Sequence, residues 1–133
     1  MVGGEMMTDD ETPDAAPTAE APAAWDFVQV LTTAEKREDA QRIAAGVVER
    51  RLAGCAQVLG PITSTYWWQG RVEMAEEWLC LIKTRRSLYA PLEAAIRSLH
   101  PYEVPEILAV PVLKGHAPYL AWLDSVLKPN SGS

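Results

Sequence analysis

The sequence predicts an α+β domain of the ferredoxin-like, split βαβ type, with the element order β-α-β-β-α-β and a further C-terminal helix. Apolar residues alternate with polar ones in several segments, as in half-buried strands, and recur at helical spacing in three others. The two central strand segments are joined by Gln69–Gly70, which is typical of a tight turn. Such a fold places its helices on one face of an antiparallel sheet, so the other face needs a cover.

The first 24 residues differ in composition from the rest of the 133-residue chain. They consist mainly of Ala, Pro, Thr, Gly and acidic residues, and contain six of the 18 acids but none of the 12 bases. Such a segment cannot bury enough apolar surface to offset the entropy lost on ordering. We therefore predict a disordered acidic tail over 1–24, one domain over 25–129 and a frayed end over 130–133.

The charge distribution excludes two classes of partner. Outside the tail the chain carries 12 acidic and 12 basic residues, so it lacks the positive charge that sequence-independent nucleic-acid binding requires. No basic amphipathic segment indicates a membrane surface, and no apolar run approaches the roughly 18 residues of a spanning helix. The acidic N-terminus is also unlike a secretion signal. We expect a cytoplasmic protein that binds neither nucleic acid nor membranes.

The first strand and helix follow from a change of periodicity. Residues 26–33 alternate like a strand, and apolar residues then recur at helical spacing over 36–53. Gly54 is the expected C-terminal cap of this helix. Gly46 lies inside it beside two alanines and predicts a close approach of the helix to the sheet.

A long hairpin forms the centre of the predicted fold. Residues 55–69 are rich in Val, Ile, Thr, Tyr and Trp and predict a long strand. Residues 72–84 predict the next strand, which runs back beside it. Gly60–Pro61 interrupts the first of these strands. It predicts a bulge or bend, because proline donates no hydrogen bond to the ladder.

A second helix, a fourth strand and a last helix complete the fold. Ser87 is the expected N-cap of the second helix, and Pro91 fits only within its first turn. Residues 104–113 predict a strand in which Pro111 indicates an edge or another bulge. Pro118 begins the last helix.

The two cysteines are Cys55 and Cys80. A turn centred on Gln69–Gly70 places Cys80 opposite position 59, and Cys55 about 13 Å further along the sheet. A disulfide is therefore disfavoured unless the bulge shifts the register, and two free thiols suit a reducing compartment. The spacing of cysteine and histidine matches no structural zinc motif.

The sequence contains no strong catalytic motif. Neither GxSxG nor a glycine-rich nucleotide-binding pattern occurs, and its two histidines assemble no recognisable Ser-His-Asp set. We therefore expect no enzyme activity and no organic cofactor.

His100 begins the segment 100–106, in which two prolines, a tyrosine and two carboxylates accompany the imidazole. Stiff loops with many polar groups often carry function, but the same composition suits a well-anchored turn, and both interpretations stand. His116 precedes a helix, where capping or simple exposure is expected.

Aromatic residues near the hairpin turn predict oligomerisation. Tyr66, Trp67 and Trp68 are consecutive on a strand, so they point alternately to its two faces. A domain this small cannot cover both faces, and exposed aromatics there promote aggregation. Because Tyr and Trp are common anchors of protein interfaces, we predict contacts between copies of the chain through these three residues and Trp78.

Several motifs together resemble the CutA (divalent-cation tolerance) family. The resemblance covers about residues 26–128, essentially the whole predicted domain. The motifs are Ser64-x-Tyr66-x-Trp68-x-Gly70, Cys55 after Leu52–Ala53–Gly54, Ile82–Lys83–Thr84, His100–Pro101–Tyr102–Glu103–Val104–Pro105–Glu106, and Tyr119-Leu120-x-Trp122-Leu123.

The resemblance implies a tight homotrimer, similar in architecture to the PII signalling proteins, in which long hairpins pair across subunits. It also implies a link to divalent metals, Cu(II) especially, with no enzymatic reaction securely implied. Some members carry proposed ligands at positions where this chain has Thr32 and Leu99. The candidate metal ligand that remains is His100. Cys55, Glu103 and Glu106 are candidates to supplement it in the trimer.

Two functions stay open on these grounds: a trimer that binds or responds to divalent metal, and a trimeric scaffold or small-ligand sensor of the PII type. RNA recognition, which uses the same βαββαβ order, is rejected. It requires an aromatic third strand in a basic sheet, whereas residues 76–81 read Glu-Glu-Trp-Leu-Cys-Leu.

Overall fold

The computed structural model describes residues 22–129, so most of the predicted tail and the whole of 130–133 lie outside the described residues. The predicted element order is confirmed. The chain forms β1 (Phe27–Ala34), α1 (Arg37–Glu49), β2 (Cys55–Trp68), β3 (Arg71–Arg85), α2 (Tyr89–Leu99), β4 (Ile107–Pro111) and α3 (Ala117–Val126), with short 3-10 turns at Ala24–Asp26 and Arg86–Leu88.

The four strands form one antiparallel sheet in the order β2-β3-β1-β4, which confirms the predicted α+β fold class. Val30 lies opposite Ile82 on the two central strands, and both side chains are fully buried. The even-numbered positions of β1 and β3 therefore form the core beneath α1 and α2. Helix α1 buries Ile43 and Val47 in this core, and α2 buries Ile96.

Helix α3 departs from the prediction that all helices share one face. The Arg85 guanidinium donates to Asp124 of α3 at 2.9 Å. Arg85 lies opposite Phe27, on the face formed by the odd-numbered positions of β1 and β3. Leu120, Leu123 and the fully buried Phe27 belong to one cluster. Helix α3 thus covers one end of the face that α1 and α2 leave bare.

Helix α1 is shorter than predicted, and Gly54 is not its cap. The helix ends at Glu49, and Arg51 adopts the left-handed conformation with φ 58°. Gly54 lies against Leu123, where a Cβ would collide with the leucine side chain, and its N–H donates to the carbonyl of Lys83. Close packing of α3, rather than helix termination, therefore requires this glycine.

Gly46 also has a different neighbour from the one expected. A Cβ at this position would lie 2.8 Å from Cδ1 of Leu99, so the close approach is to the end of α2 and not to the sheet. The predicted cap Ser87 is likewise wrong, because it lies in the 3-10 turn and Leu88 occupies the N-cap. Pro91 falls within the first turn of α2, as predicted.

Strand β4 occupies only five residues of the predicted 104–113, at the edge of the sheet. Pro105 has no N–H to donate and restricts Val104 before it, so pairing with β1 begins at Ile107. Pro111 ends the strand, which confirms its expected edge position.

The central hairpin turns at Gln69 and Gly70, as the sequence predicts, and the structure gives both residues a positive φ. The predicted bulge is confirmed between Leu59, opposite Leu79, and Ile62, opposite Glu77. It shifts the register by one residue, so Cys80 faces Val58 and not position 59.

Candidate functional site

One uncovered surface is the face of the sheet formed by the odd-numbered positions of β1 and β3 and their neighbours, which we call the open face. Leu31 lies opposite Leu81 at its centre, and both are only half-buried. Toward the sheet edges Leu59 is 46% exposed, Leu108 58% and Val110 44%. A contiguous set of leucine and valine side chains in contact with water indicates an interaction surface.

Beyond the bulge, the β2–β3 hairpin continues the open face. Ile62 pairs with Glu77 there, and by alternation Tyr66 and Trp68 point to the same side. Trp67 points to the opposite side together with Val72 and is 73% exposed. The expectation that the consecutive aromatics divide between two faces agrees with this register, and no other part of residues 22–129 covers either side of the hairpin tip.

Trp78 is separated from the other predicted interface aromatics. It pairs with Ala34 at an even-numbered position, so it points to the side of α1 and not to the open face. The guanidinium carbon of Arg37 lies 5.5 Å from the centre of its ring. Trp78 therefore stacks on the first turn of α1 within its own chain.

His100 is buried at the end of α2 and uses both ring nitrogens in hydrogen bonds. Nδ1 accepts the backbone N–H of Tyr102 at 3.1 Å, so Nε2 carries the proton and donates to the carbonyl oxygen of Thr33 at 2.7 Å. The rings of His100 and Tyr102 are also 4.7 Å apart between centroids. Within one chain, these bonds match the interpretation of segment 100–106 as a well-anchored turn.

The loop is held at a second point that the sequence analysis missed. The hydroxyl of Tyr102 donates to Oε2 of Glu77 at 2.8 Å, which connects the loop to the base of the hairpin. Burial raises the pKa of Tyr102, and the hydrogen bond and negative charge of Glu77 raise it further. The contact joins residues 25 apart with no local pattern, so only a prediction of the register could have found it.

The four candidate metal ligands do not meet within one chain. Cys55 pairs with Lys83, whereas His100 contacts Thr33 opposite Leu79, four residues or about 13 Å along β3. Glu103 and Glu106 are exposed. Within residues 22–129 no three His, Cys, Asp or Glu side chains converge to hold an ion. A metal site with these ligands therefore requires more than one copy of the chain.

Thr32 and Leu99 occupy the two positions where the resemblance places ligands in some relatives. The hydroxyl of Thr32 is buried and makes no hydrogen bond to another described residue. The side chain of Leu99 packs on Gly46. Leu99 is thus part of the contact between α1 and α2, and neither position carries a side chain that commonly ligates Cu(II).

The two cysteines are free, as expected from their register. Burial raises the pKa of Cys80 to about 11, which keeps it a neutral core residue. Cys55 is half-buried at the start of β2, next to Tyr119 of α3. Burial, followed by the proximity of Cys55, raises the pKa of the Tyr119 hydroxyl.

Among residues 22–129, no helix is both long enough and apolar enough to cross a lipid bilayer.

Comparison with known proteins gives a consistent result. Residues 28–126 match the family described as CutA1 divalent ion tolerance protein. The chain is 44% identical over 103 residues to Protein CutA of Mus musculus, a match that covers 77% of this chain and 58% of the mouse protein. It is 44% identical over 94 residues to the divalent-cation tolerance protein CutA of Thermus thermophilus, covering 71% of this chain and 91% of that protein.

The likeness extends to three dimensions. The solved structure of the divalent cation tolerance protein (Cut A1) from Thermus thermophilus has a TM-score of 0.75 with this chain at 40% sequence identity. The match covers 77% of this chain and 99% of that structure. The chain spans less than two thirds of the mouse relative and nearly all of the bacterial one. The chain belongs to the CutA1 divalent ion tolerance protein family.

Proposed function

We propose that this chain acts in divalent-cation tolerance as a homotrimer that binds or responds to a divalent metal such as Cu(II). The family supplies the connection to divalent cations. One structural observation supports assembly: the open face exposes Leu59, Leu108 and Val110, and among the described helices only α3 covers it, at one end. Burying such side chains against other copies would gain about 25 cal/mol per Å² of apolar surface.

The hairpin supports the same assembly. Trp68 is 59% exposed and Tyr66 42%, on the side that continues the open face. An isolated two-stranded hairpin is marginally stable in water, so a projecting ribbon with aromatic side chains gains stability when neighbouring copies cover it. We place Tyr66, Trp67 and Trp68 in contacts between copies, whereas Trp78, also predicted there, stacks on Arg37 of its own chain.

Sedimentation equilibrium tests the assembly. We expect a mass of about three times 14.6 kDa at micromolar concentration. The variant Trp68→Ala should dissociate at higher concentration than the unchanged protein, because truncation of a buried Trp costs about 3–5 kcal/mol. A monomer at micromolar concentration would contradict the proposal.

For the metal, we propose His100 as the imidazole ligand, with carboxylates of Glu103 and Glu106 and the thiol of Cys55 contributed across copies. Coordination through Nδ1 must displace the N–H of Tyr102, which locally reorganises the loop. Imidazole suits Cu(II) and Zn(II), and Cu(II) binds more tightly in the Irving–Williams order.

Calorimetric titration of Cu(II) decides whether His100 is a ligand. Wild type and His116→Ala, which removes the exposed second histidine, should bind alike, whereas His100→Ala should lose binding. Affinity should fall in acid, because protons compete with metal for the imidazole lone pair. Equal affinity in all three proteins would remove His100 from the site.

A trimeric scaffold or small-ligand sensor is the second candidate. It is favoured by the engagement of both nitrogens of His100 within its own chain. We propose no catalytic step and no organic cofactor for either candidate. Two free thiols support a location in a reducing compartment such as the cytoplasm. Absence of Cu(II) binding in the wild type, with the trimer intact, would select this second candidate.

A further inference from the structure

A cleft lies on the side of the sheet opposite the open face, between the first turn of α1 and the bulge in β2. Its volume is about 480 Å³, and much of it is open to solvent. It contains neither His100 nor any other candidate metal ligand. The lining residues are Arg37, Gln41, Val58, Leu59, Gly60 and Trp78.

Arg37 supplies the positive charge of the cleft. Its guanidinium lies over the indole of Trp78, with 5.5 Å from the guanidinium carbon to the ring centre. Among residues 22–129 Arg37 forms no ion pair. The neighbouring acid Asp39 pairs instead with Arg42, at 2.7 Å. A guanidinium stacked on an aromatic ring keeps its N–H groups free at the edge, in the planar arrangement that matches a carboxylate.

The other walls of the cleft combine apolar and polar groups. Gly60 lies flat against Trp78, since a Cβ there would be 2.6 Å from Cε3 of the ring. Val58, which lies on the same face of the sheet as Trp78, flanks this contact, and the amide of Gln41 adds one more polar group. A single cation beside Val58 and the ring of Trp78 fits a ligand with one negative charge and an apolar part, whereas a doubly charged phosphate would require further bases.

We propose that this cleft binds a small monocarboxylate with a flat apolar body. The carboxylate accepts two hydrogen bonds from Arg37, Gln41 donates a third, and the body of the ligand lies against Val58 and the edge of Trp78. This goes beyond the function in metal tolerance, and it requires neither a metal nor His100.

The test uses the full-length protein and the probe 4-fluorobenzoate, followed by the ¹⁹F line width. Arg37→Gln removes the charge but keeps a polar side chain at an exposed position, so folding is preserved. Arg42→Gln is the matched control on the same helix, outside the cleft. We expect the probe to bind wild type and Arg42→Gln alike, and Arg37→Gln at least about tenfold more weakly. The neutral 4-fluorobenzyl alcohol should bind wild type at least about tenfold more weakly than the acid.

The position of the bound probe is checked separately. The indole N–H resonance of Trp78, assigned by its loss in Trp78→Phe, should shift during the titration. No binding to wild type at millimolar probe, equal affinity in Arg37→Gln, or an unmoved Trp78 resonance would each overturn the proposal. None of these outcomes depends on Cu(II), so they are distinct from failure of the metal titration.

Discussion

The imidazole of His100 donates from Nε2 to the carbonyl oxygen of Thr33, 67 residues earlier in the chain, over 2.7 Å. This bond joins the end of α2 to the end of β1. The partner bond, from the N–H of Tyr102 to Nδ1, fixes the start of the following loop. One side chain therefore connects a helix, a strand and a loop, and its neutral form is the one that satisfies both bonds.

Replacement of His100 should destabilise the domain. His100→Ala leaves the carbonyl of Thr33 and the N–H of Tyr102 without their partner, and an unsatisfied buried polar group costs about 1–3 kcal/mol. We expect the free energy of unfolding in urea to fall by about 2–3 kcal/mol at fixed protein concentration. The exposed His116→Ala is the control and should change it by less than about 0.5 kcal/mol. Equal midpoints for the two variants would show that the pair of bonds contributes nothing.

A charge at the centre of the open face should prevent assembly. Leu81→Glu places a carboxylate opposite Leu31, on the side away from the α1–α2 core, so the single chain can still fold. We expect the mass from sedimentation equilibrium to fall to that of one chain while the circular dichroism spectrum is retained. Val104→Glu, at a loop position that is 86% exposed, is the control and should leave the mass unchanged. An oligomer that persists in Leu81→Glu would place the interface elsewhere.

The sequence predicts the element order, the turn at Gln69–Gly70 and the bulge at Gly60–Pro61, because each rests on local periodicity or on backbone constraints of glycine and proline. It does not predict which element a glycine meets. Gly46 and Gly54 are required by side chains of α2 and α3, which are distant in the sequence. The predicted end of α1 is too late, because Arg51 adopts the left-handed conformation that glycine usually supplies at a helix end.

The candidate site shows the same division between local and distant information. His100 is identifiable from the composition of its loop, but its partner is a backbone carbonyl, which carries no sequence signal. The stack of Arg37 on Trp78 joins residues 41 apart across a helix and a strand. Such pairs become visible only when the register and the helix position are known.

Deletion of the tail should leave the melting temperature nearly unchanged as long as Ala24 and Trp25 are retained. The carbonyl of Trp25 accepts hydrogen bonds from the Arg86 guanidinium, and Ala24 packs against the core, so the domain begins slightly before the predicted residue 25. Deletion of 1–21 should shift Tm by no more than about 2 °C, whereas deletion of 1–26 should lower it by several degrees. A large drop on deletion of 1–21 would show that the tail stabilises the domain.

The two cysteines should differ in reactivity and in their effect on stability in alkali. Cys80 is fully buried with a pKa raised to about 11, whereas Cys55 is half-buried. At pH 8, a thiol reagent should modify one cysteine per folded chain. Cys55→Ser should abolish this phase, and the second thiol should react only after unfolding. Rapid modification of two thiols in the folded protein would contradict the burial of Cys80.

Alkaline pH should weaken the fold through Cys80. In the unfolded chain its thiol ionises near the ordinary value of 9, but in the folded protein it stays neutral to about 11. The stabilisation that comes from the neutral buried thiol is thus fully present below pH 9 and is lost as the pH rises toward 11. At pH 10 the free energy of unfolding should be lower by about 1.4 kcal/mol. Tyr102 and Tyr119 also have raised pKa values and add their own losses, so the comparison is with Cys80→Ala. The free energy of unfolding, measured in urea between pH 7.5 and 10, should fall less steeply with pH in that variant. Parallel pH profiles for the two proteins would exclude Cys80 as the titrating group.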